Sequence, residues 1–116
     1  MEIKIIRDTI PKTELAATAQ EGFGDMVKAV VDVTQGIMAV GGELHADEEA
    51  LLTEQCESKR EDVWGINLYP HKEGNEWIEF DSMINLKPQF GNRSRGVEDT
   101  AIREKIIGVV KKLVRG

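Results

Sequence analysis

One cysteine and three prolines stand among 116 residues. A single thiol, Cys56, excludes an internal disulfide and cannot by itself build a zinc site. With no histidine beside it and a charged helix-to-loop setting, it reads as a bystander thiol. No apolar run approaches the roughly 20 residues of a membrane-spanning helix. The opening Met1-Glu2-Ile3-Lys4-Ile5-Ile6-Arg7 has no signal-peptide apolar core, so a cytoplasmic protein without a membrane partner is expected. Aromatic residues make up only 5%, too few to argue for stacking on single-stranded nucleic acid. A net charge of −6 likewise disfavours coating of a phosphate backbone, so a nucleic-acid partner is not expected. There is no Gly-x-Ser-x-Gly, Gly-x-Gly-x-x-Gly, His-Glu-x-x-His or phosphate-binding P-loop, and no cofactor is implied.

The length fits one domain, residues 1–116, with a real hydrophobic core. Charge is divided along it. Residues 1–86 carry 7 basic and 18 acidic side chains, whereas residues 87–116 carry 8 basic and 3 acidic. Either the basic C-terminal part packs against an acidic body, or it supplies a local anion-binding patch.

Local patterns place the elements. Residues 2–7 read as a short strand, and a helix starting near Pro11 carries Leu15, Ala16 and Ala19 before Gly22, which suits a left-handed C-cap. The β-branched run 26–33, the turn Thr34-Gln35-Gly36 and the run 37–40 read as a hairpin, apolar on both faces. Such a hairpin sits centrally in its sheet or at an interface, so a homodimer is one expectation. Ala46–Gln55 is a second helix, and residues 62–69 and 76–87 read as a second hairpin. Asp99 caps a last helix with the stripe Ile102, Ile106, Val109, Val110 and Leu113. The order β-α-β-β-α-β-β-α predicts the α+β class, with a mostly antiparallel sheet of about five strands and three helices.

Three constellations carry chemistry. Pairing of the second hairpin with Asn67 opposite Glu79 and Gly65 opposite Asp81 puts Trp64, Ile66, Leu68, Ile78, Phe80 and Ile84 on a core face. The other face collects Asn67, Glu79, Asp81 and Asn85, with Tyr69, Trp77 and Met83. It is either solvated or a site where Glu79 and Asp81 act as acid and base or hold a divalent ion. Glu43-Leu44-His45-Ala46-Asp47 holds three potential ligands at a strand-to-helix junction. A zinc hydrolase needs more than His45, and His71 belongs to a loop, so helix capping is the simpler role. Glu43, His45 and Asp47 are therefore weak metal candidates, and no metal site is expected.

Gly91-Asn92-Arg93-Ser94-Arg95-Gly96 is the third. Asn92, Arg93, Ser94 and Arg95 are candidates for an anion site ahead of a helix start. Glu98 and Asp99 would compete there, and the arginines are expected to pair with Glu79 or Asp81. The resulting expectation is a binding or interaction module, its partner a small anionic ligand or another protein. The alternative is a metal-assisted hydrolase using Glu79 and Asp81, with His45 a further catalytic candidate and an arginine steadying negative charge. Proximity separates the two outcomes: arginines folded over the Glu79/Asp81 face beside His45 favour a site there.

The runs Phe23-Gly24-Asp25-Met26-Val27-Lys28, Gly41–Asp47, Trp64–Pro70, Ile78–Asn85 and Gly91–Gly96 resemble a family of short prokaryotic proteins classed as a domain of unknown function. The resemblance spans nearly the whole chain. It implies a complete, stand-alone member and carries no activity, ligand or catalytic residue.

Overall fold

Gly36, at φ +70°, turns the chain where the β-branched run ends, and the two strands beside it form the hairpin read from the sequence. The computed structural model describes residues 2–116. Among these, the chain runs β1 (Lys4–Ile6), β2 (Ile10–Pro11), α1 (Lys12–Glu21), β3 (Val27–Asp32), β4 (Ile37–Val40), α2 (His45–Cys56), β5 (Val63–Leu68), β6 (Ile78–Glu79), α3 (Thr100–Leu113) and β7 (Val114–Arg115). Five strands form one antiparallel sheet in the order β1-β4-β3-β5-β6, which is α+β architecture. The two-residue strands β2 and β7 add a small parallel pair that the local pattern did not announce.

Alternation along β3 sorts the core into two layers. Val27, Ala29 and Val31 pack with Met38, Val40, Trp64, Ile66 and Leu68 beneath α1 and α3, whose Leu15, Ala19, Ile106, Val110 and Leu113 are buried there. Val30 faces the other way, with Ile37, Ala39, Val63 and Ile84 beneath Leu52 of α2. Helices thus cover both faces of the first hairpin, so a single chain accounts for its two-sided apolarity. Asp32, also on the α2 face, holds the turn. Its carboxylate accepts from Thr34 N, Gln35 N, Gln35 Nε2 and Ser58 Oγ, all within 2.9 Å. Asp99 caps α3 as predicted, accepting from Ala101 N at 2.8 Å. No helix among the described residues is long and apolar enough to cross a membrane.

Several expectations need correction. Gly22 is not left-handed (φ −108°); Gly24 takes the positive φ of +98° instead. The second hairpin keeps the predicted pairing of Asn67 with Glu79, yet its return strand is only Ile78–Glu79. Tight 3-10 turns at Gly74–Trp77 and Met83–Asn85 interrupt the expected strand on either side. Trp77 consequently joins the main core, with Lys12 Nζ 4.5 Å from its ring centroid, and Ile84 joins the α2 layer.

The return strand stops because the chain crosses over Gly65. A Cβ on Gly65 would lie 2.5 Å from Ser82 Cβ and Oγ and 3.2 Å from His45 Cδ2, so only glycine leaves room for that crossing. Ser82 N then donates to Arg95 O at 3.0 Å.

Candidate functional site

Lys28, Asn67 and Glu79 form a row across β3, β5 and β6 on the sheet face that α2 covers. Helix α2 starts at His45, beside this row, so the polar row meets the helix's first turn instead of its apolar flank. The N-cap, Leu44, supplies no side-chain cap, and the first amides of any helix have no partner within the helix. Around this junction lies a pocket of about 240 Å³. Lys28, His45, Asn67, Asp81, Ser82 and Arg95 form its polar wall, and Met26, Leu44, Ala46, Met83 and Ile84 its apolar one. Leu44 and Met83, 55% and 62% exposed, stand out as large apolar residues at its edge.

His45 is buried and turned inward. Its Nε2 lies 2.8 Å from Ile66 O. A carbonyl only accepts, so Nε2 carries a proton, and in the neutral ring Nδ1 is the bare nitrogen. Burial holds the imidazole below its ordinary value of 6.5, and the Lys28 ammonium pushes the same way. The Ile66 carbonyl, the Asp81 carboxylate and the Asn67 side chain oppose them. The amide orientation of Asn67 follows from its partners. Nδ2 donates to Glu79 Oε1 at 2.9 Å and to Asp81 O at 3.2 Å, both acceptors, which leaves Oδ1 on the opposite side. That oxygen is buried and has no partner among the described residues.

One turn along α2, Glu48 is fully buried. Its Oε2 accepts from Gly42 N at 2.8 Å, while Oε1 is unpartnered among the described residues. Burial pushes this carboxyl up to about 9, so Glu48 carries its proton at neutral pH. A Cβ on Gly42 would sit 2.9 Å from Glu48 Cγ, so glycine at this position leaves room for the buried side chain.

The loop after β6 closes the pocket. Arg95 Nε donates to Asp81 Oδ1 at 2.8 Å, the pairing expected from the charge division. Arg93 is exposed and has no hydrogen bond or ion pair among the described residues. Asn92 is engaged within the loop. Its Nδ2 donates to Asn85 O, Ser94 O and Gly96 O, and its Oδ1 accepts from Glu98 N, so its polar atoms shape the loop from inside. Ser94 contributes its carbonyl to that arrangement. Asn85 leaves the polar face altogether and bonds the backbone of Gly65.

Lys87 anchors the base of the same loop. It is fully buried, its Nζ donating to Arg60 O at 2.7 Å and Val63 O at 2.6 Å and lying 3.7 Å from the Trp64 ring centroid. Burial pulls this ammonium down to about 8, against an ordinary 10.5. The carbonyls and the indole face are what a buried cation requires in place of water.

The structure therefore brings His45, Asn67, Asp81 and Arg95 together, with Glu79 hydrogen-bonded to Asn67. It separates Glu43 and Asp47 from His45: both are exposed, and His45 bonds Ile66 O instead of capping α2. Among the described residues no three His, Cys, Asp or Glu side chains are grouped to hold a metal ion. Glu79 Oε1 already accepts from Asn67 and Tyr69, and Asp81 from Arg95. Cys56 sits at the far end of α2 from His45. Sequence reasoning missed Lys28 and Glu48. Lys28 carried a signal, as the one basic residue within the strand run 26–33.

No curated protein and no solved structure matches the chain significantly. Residues 4–113 match the family described as a protein of unknown function, DUF5674. With nearly the whole chain inside that match, the protein belongs to the DUF5674 family.

Proposed function

We propose that this chain is a binding module for a small organic anion, held in the pocket at the start of α2. The observation that carries the reading is the meeting of Lys28, Arg95 and the uncapped first turn of α2 around one concave site. Asp81 offsets Arg95, and the remaining positive charge of Lys28 together with the helix N-terminus favours a single negative charge there. Beside them, Met26, Leu44 and Met83 offer an apolar wall for a short hydrocarbon part, the usual make-up of a small-molecule site. The cation expected from the 91–96 loop is present as Arg95, but it acts from the pocket wall and not from a cradle within the loop.

Thermal unfolding of the whole chain with sulfate, inorganic phosphate and short-chain carboxylates tests this. A ligand at about 100 times its dissociation constant stabilises the folded state by about 2.7 kcal/mol, a rise of several degrees in a chain of this size. Lys28→Met and Arg95→Ala should each abolish the rise. A wild-type melting temperature indifferent to every anion in the panel would remove the reading.

A further inference from the structure

We infer that the anion enters this pocket together with one proton, which His45 takes up on binding. The inference rests on the reading of the pocket as an anion site and concerns how that site is controlled. Its basis is the arrangement around the ring. Nε2 is already engaged as a donor to Ile66 O, so a second proton can go only to Nδ1. Asn67 Oδ1 is a buried acceptor in the lining of the same pocket with no donor of its own among the described residues, while Nδ2 is engaged with Glu79 and Asp81. His45, Lys28 and this unpaired acceptor line one pocket, so charge that enters the pocket acts on the ring directly.

In the empty pocket two features keep the second proton off: the ring is out of water, and Lys28 on β3 is a like charge. A bound anion changes the second of these by neutralising Lys28 and placing negative charge near the imidazole. The other charged groups near the ring do not supply the proton. Asp81, after β6, is paired with Arg95. Glu79, beyond Asn67 on β6, accepts from Asn67 and Tyr69. On α2 itself Asp47 is exposed, Glu49 is paired with Arg60, and Glu48 is protonated through neutral pH. By linkage, a ligand that favours the protonated ring binds more tightly as pH falls, by up to about tenfold per pH unit where the empty site is neutral and the bound site charged.

Sulfate is the probe, since it does not itself titrate between pH 5.5 and 8. Titration calorimetry in buffers of different ionisation enthalpy counts the protons taken up, and the His45 ring signal in NMR reports its protonation, with exposed His71 as internal reference. The expected result is net proton uptake in that range, an affinity that rises as pH falls, and a His45 midpoint that moves up with sulfate. His45→Gln, which retains a donor for Ile66 O, should bind sulfate with no proton uptake and a flat pH profile. Wild-type binding without proton uptake, or uptake that persists in His45→Gln, would overturn the inference and leave the anion site standing. Absence of sulfate binding at every pH, with the fold intact, would remove the anion site and the inference with it.

Discussion

Asn85 bonds both backbone groups of Gly65: Oδ1 accepts from Gly65 N at 2.8 Å, and Nδ2 donates to Gly65 O at 2.9 Å. In an uninterrupted hairpin those two groups would pair with residue 81, two steps beyond the Asn67–Glu79 pair. The side-chain amide takes the place of one peptide unit of the missing strand. This frees residues 80–84 to cross the sheet face and form the pocket wall.

Replacing Asn85 with Ala should therefore be expensive. It leaves Gly65 N and O without their partner and also removes the bond to Arg95 O. A loss of about 2–5 kcal/mol in urea unfolding is expected, at roughly 1–3 kcal/mol for each orphaned buried group. A loss below about 0.5 kcal/mol, within the range of ordinary surface substitutions, would show that water replaces the amide.

Gly65→Ala tests the crossing itself. The added methyl meets Ser82 where no real Cβ fits, so the 81–85 segment must move. Overpacking of this kind costs about 1–3 kcal/mol. Ligand-induced stabilisation should fall with it, because Asp81, Ser82, Met83 and Ile84 line the pocket.

Lys87→Met removes the charge and keeps most of the stem. Two donor bonds and the contact with Trp64 disappear, for an expected loss of about 1–3 kcal/mol. Lys87→Ala adds a cavity and should cost about 2–5 kcal/mol. Tryptophan fluorescence should change in both variants, since Trp64 loses the ammonium from its face. Equal stabilities of the Lys87→Met variant and the wild-type chain would mean that the buried cation is energetically neutral.

Glu48 makes stability depend on pH. Its carboxyl binds a proton more tightly when folded, at about 9 against an ordinary 4.5. Its contribution is fully present below about 4.5 and is lost progressively as pH rises toward 9. His45 has the opposite sign: its folded value lies below 6.5, so its contribution is present above 6.5 and is lost as pH falls through the folded value. Glu48→Gln retains an acceptor for Gly42 N and should flatten the alkaline decline, gaining on the order of a few kcal/mol over wild type near pH 8, at about 1.4 kcal/mol per pKa unit. Parallel pH profiles for the two chains would contradict this.

Arg93 and Arg95 should behave differently. Both partners of the Arg95–Asp81 pair are about half exposed, so Arg95→Ala should cost only about 0–1 kcal/mol while abolishing the anion-induced shift. Arg93→Ala should leave stability unchanged to within about 0.5 kcal/mol and leave the anion shift intact. Loss of the shift in both variants would mean that the loop's overall charge, and not the pocket, attracts the anion.

Much of the architecture was legible because it is written in short-range patterns. The β-branched runs around Gly36, the stripe from Ile102 to Leu113 and the Asp99 cap each depend on residues a few positions apart. The parity of the second hairpin correctly set Asn67 opposite Glu79. The extrapolation failed at Asp81, where an amide from residue 85 took over a backbone position, which strand periodicity cannot register. Both arginines were expected at Glu79 or Asp81; Arg95 pairs with Asp81, and Arg93 pairs with neither. The loop-holding bonds of Asn92 were not legible, because a polar residue in a glycine-bracketed loop looks the same whether it serves a ligand or the loop.

The amino-acid sequence by itself determined the α+β class, the helices, the first hairpin and the charge division, since hydrophobic period, turn glycines and caps act locally. Only the tertiary structure decided that Lys28, His45, Asn67 and Arg95 share one pocket, and that Glu48 and Lys87 are buried. The physical reason is that burial and charge environment are set by contacts between distant segments. Lys28 and Asn67 become neighbours only when β3 pairs with β5, and His45 reaches them only when α2 packs against β3 and β4 and its first turn bonds Ile66 O of β5.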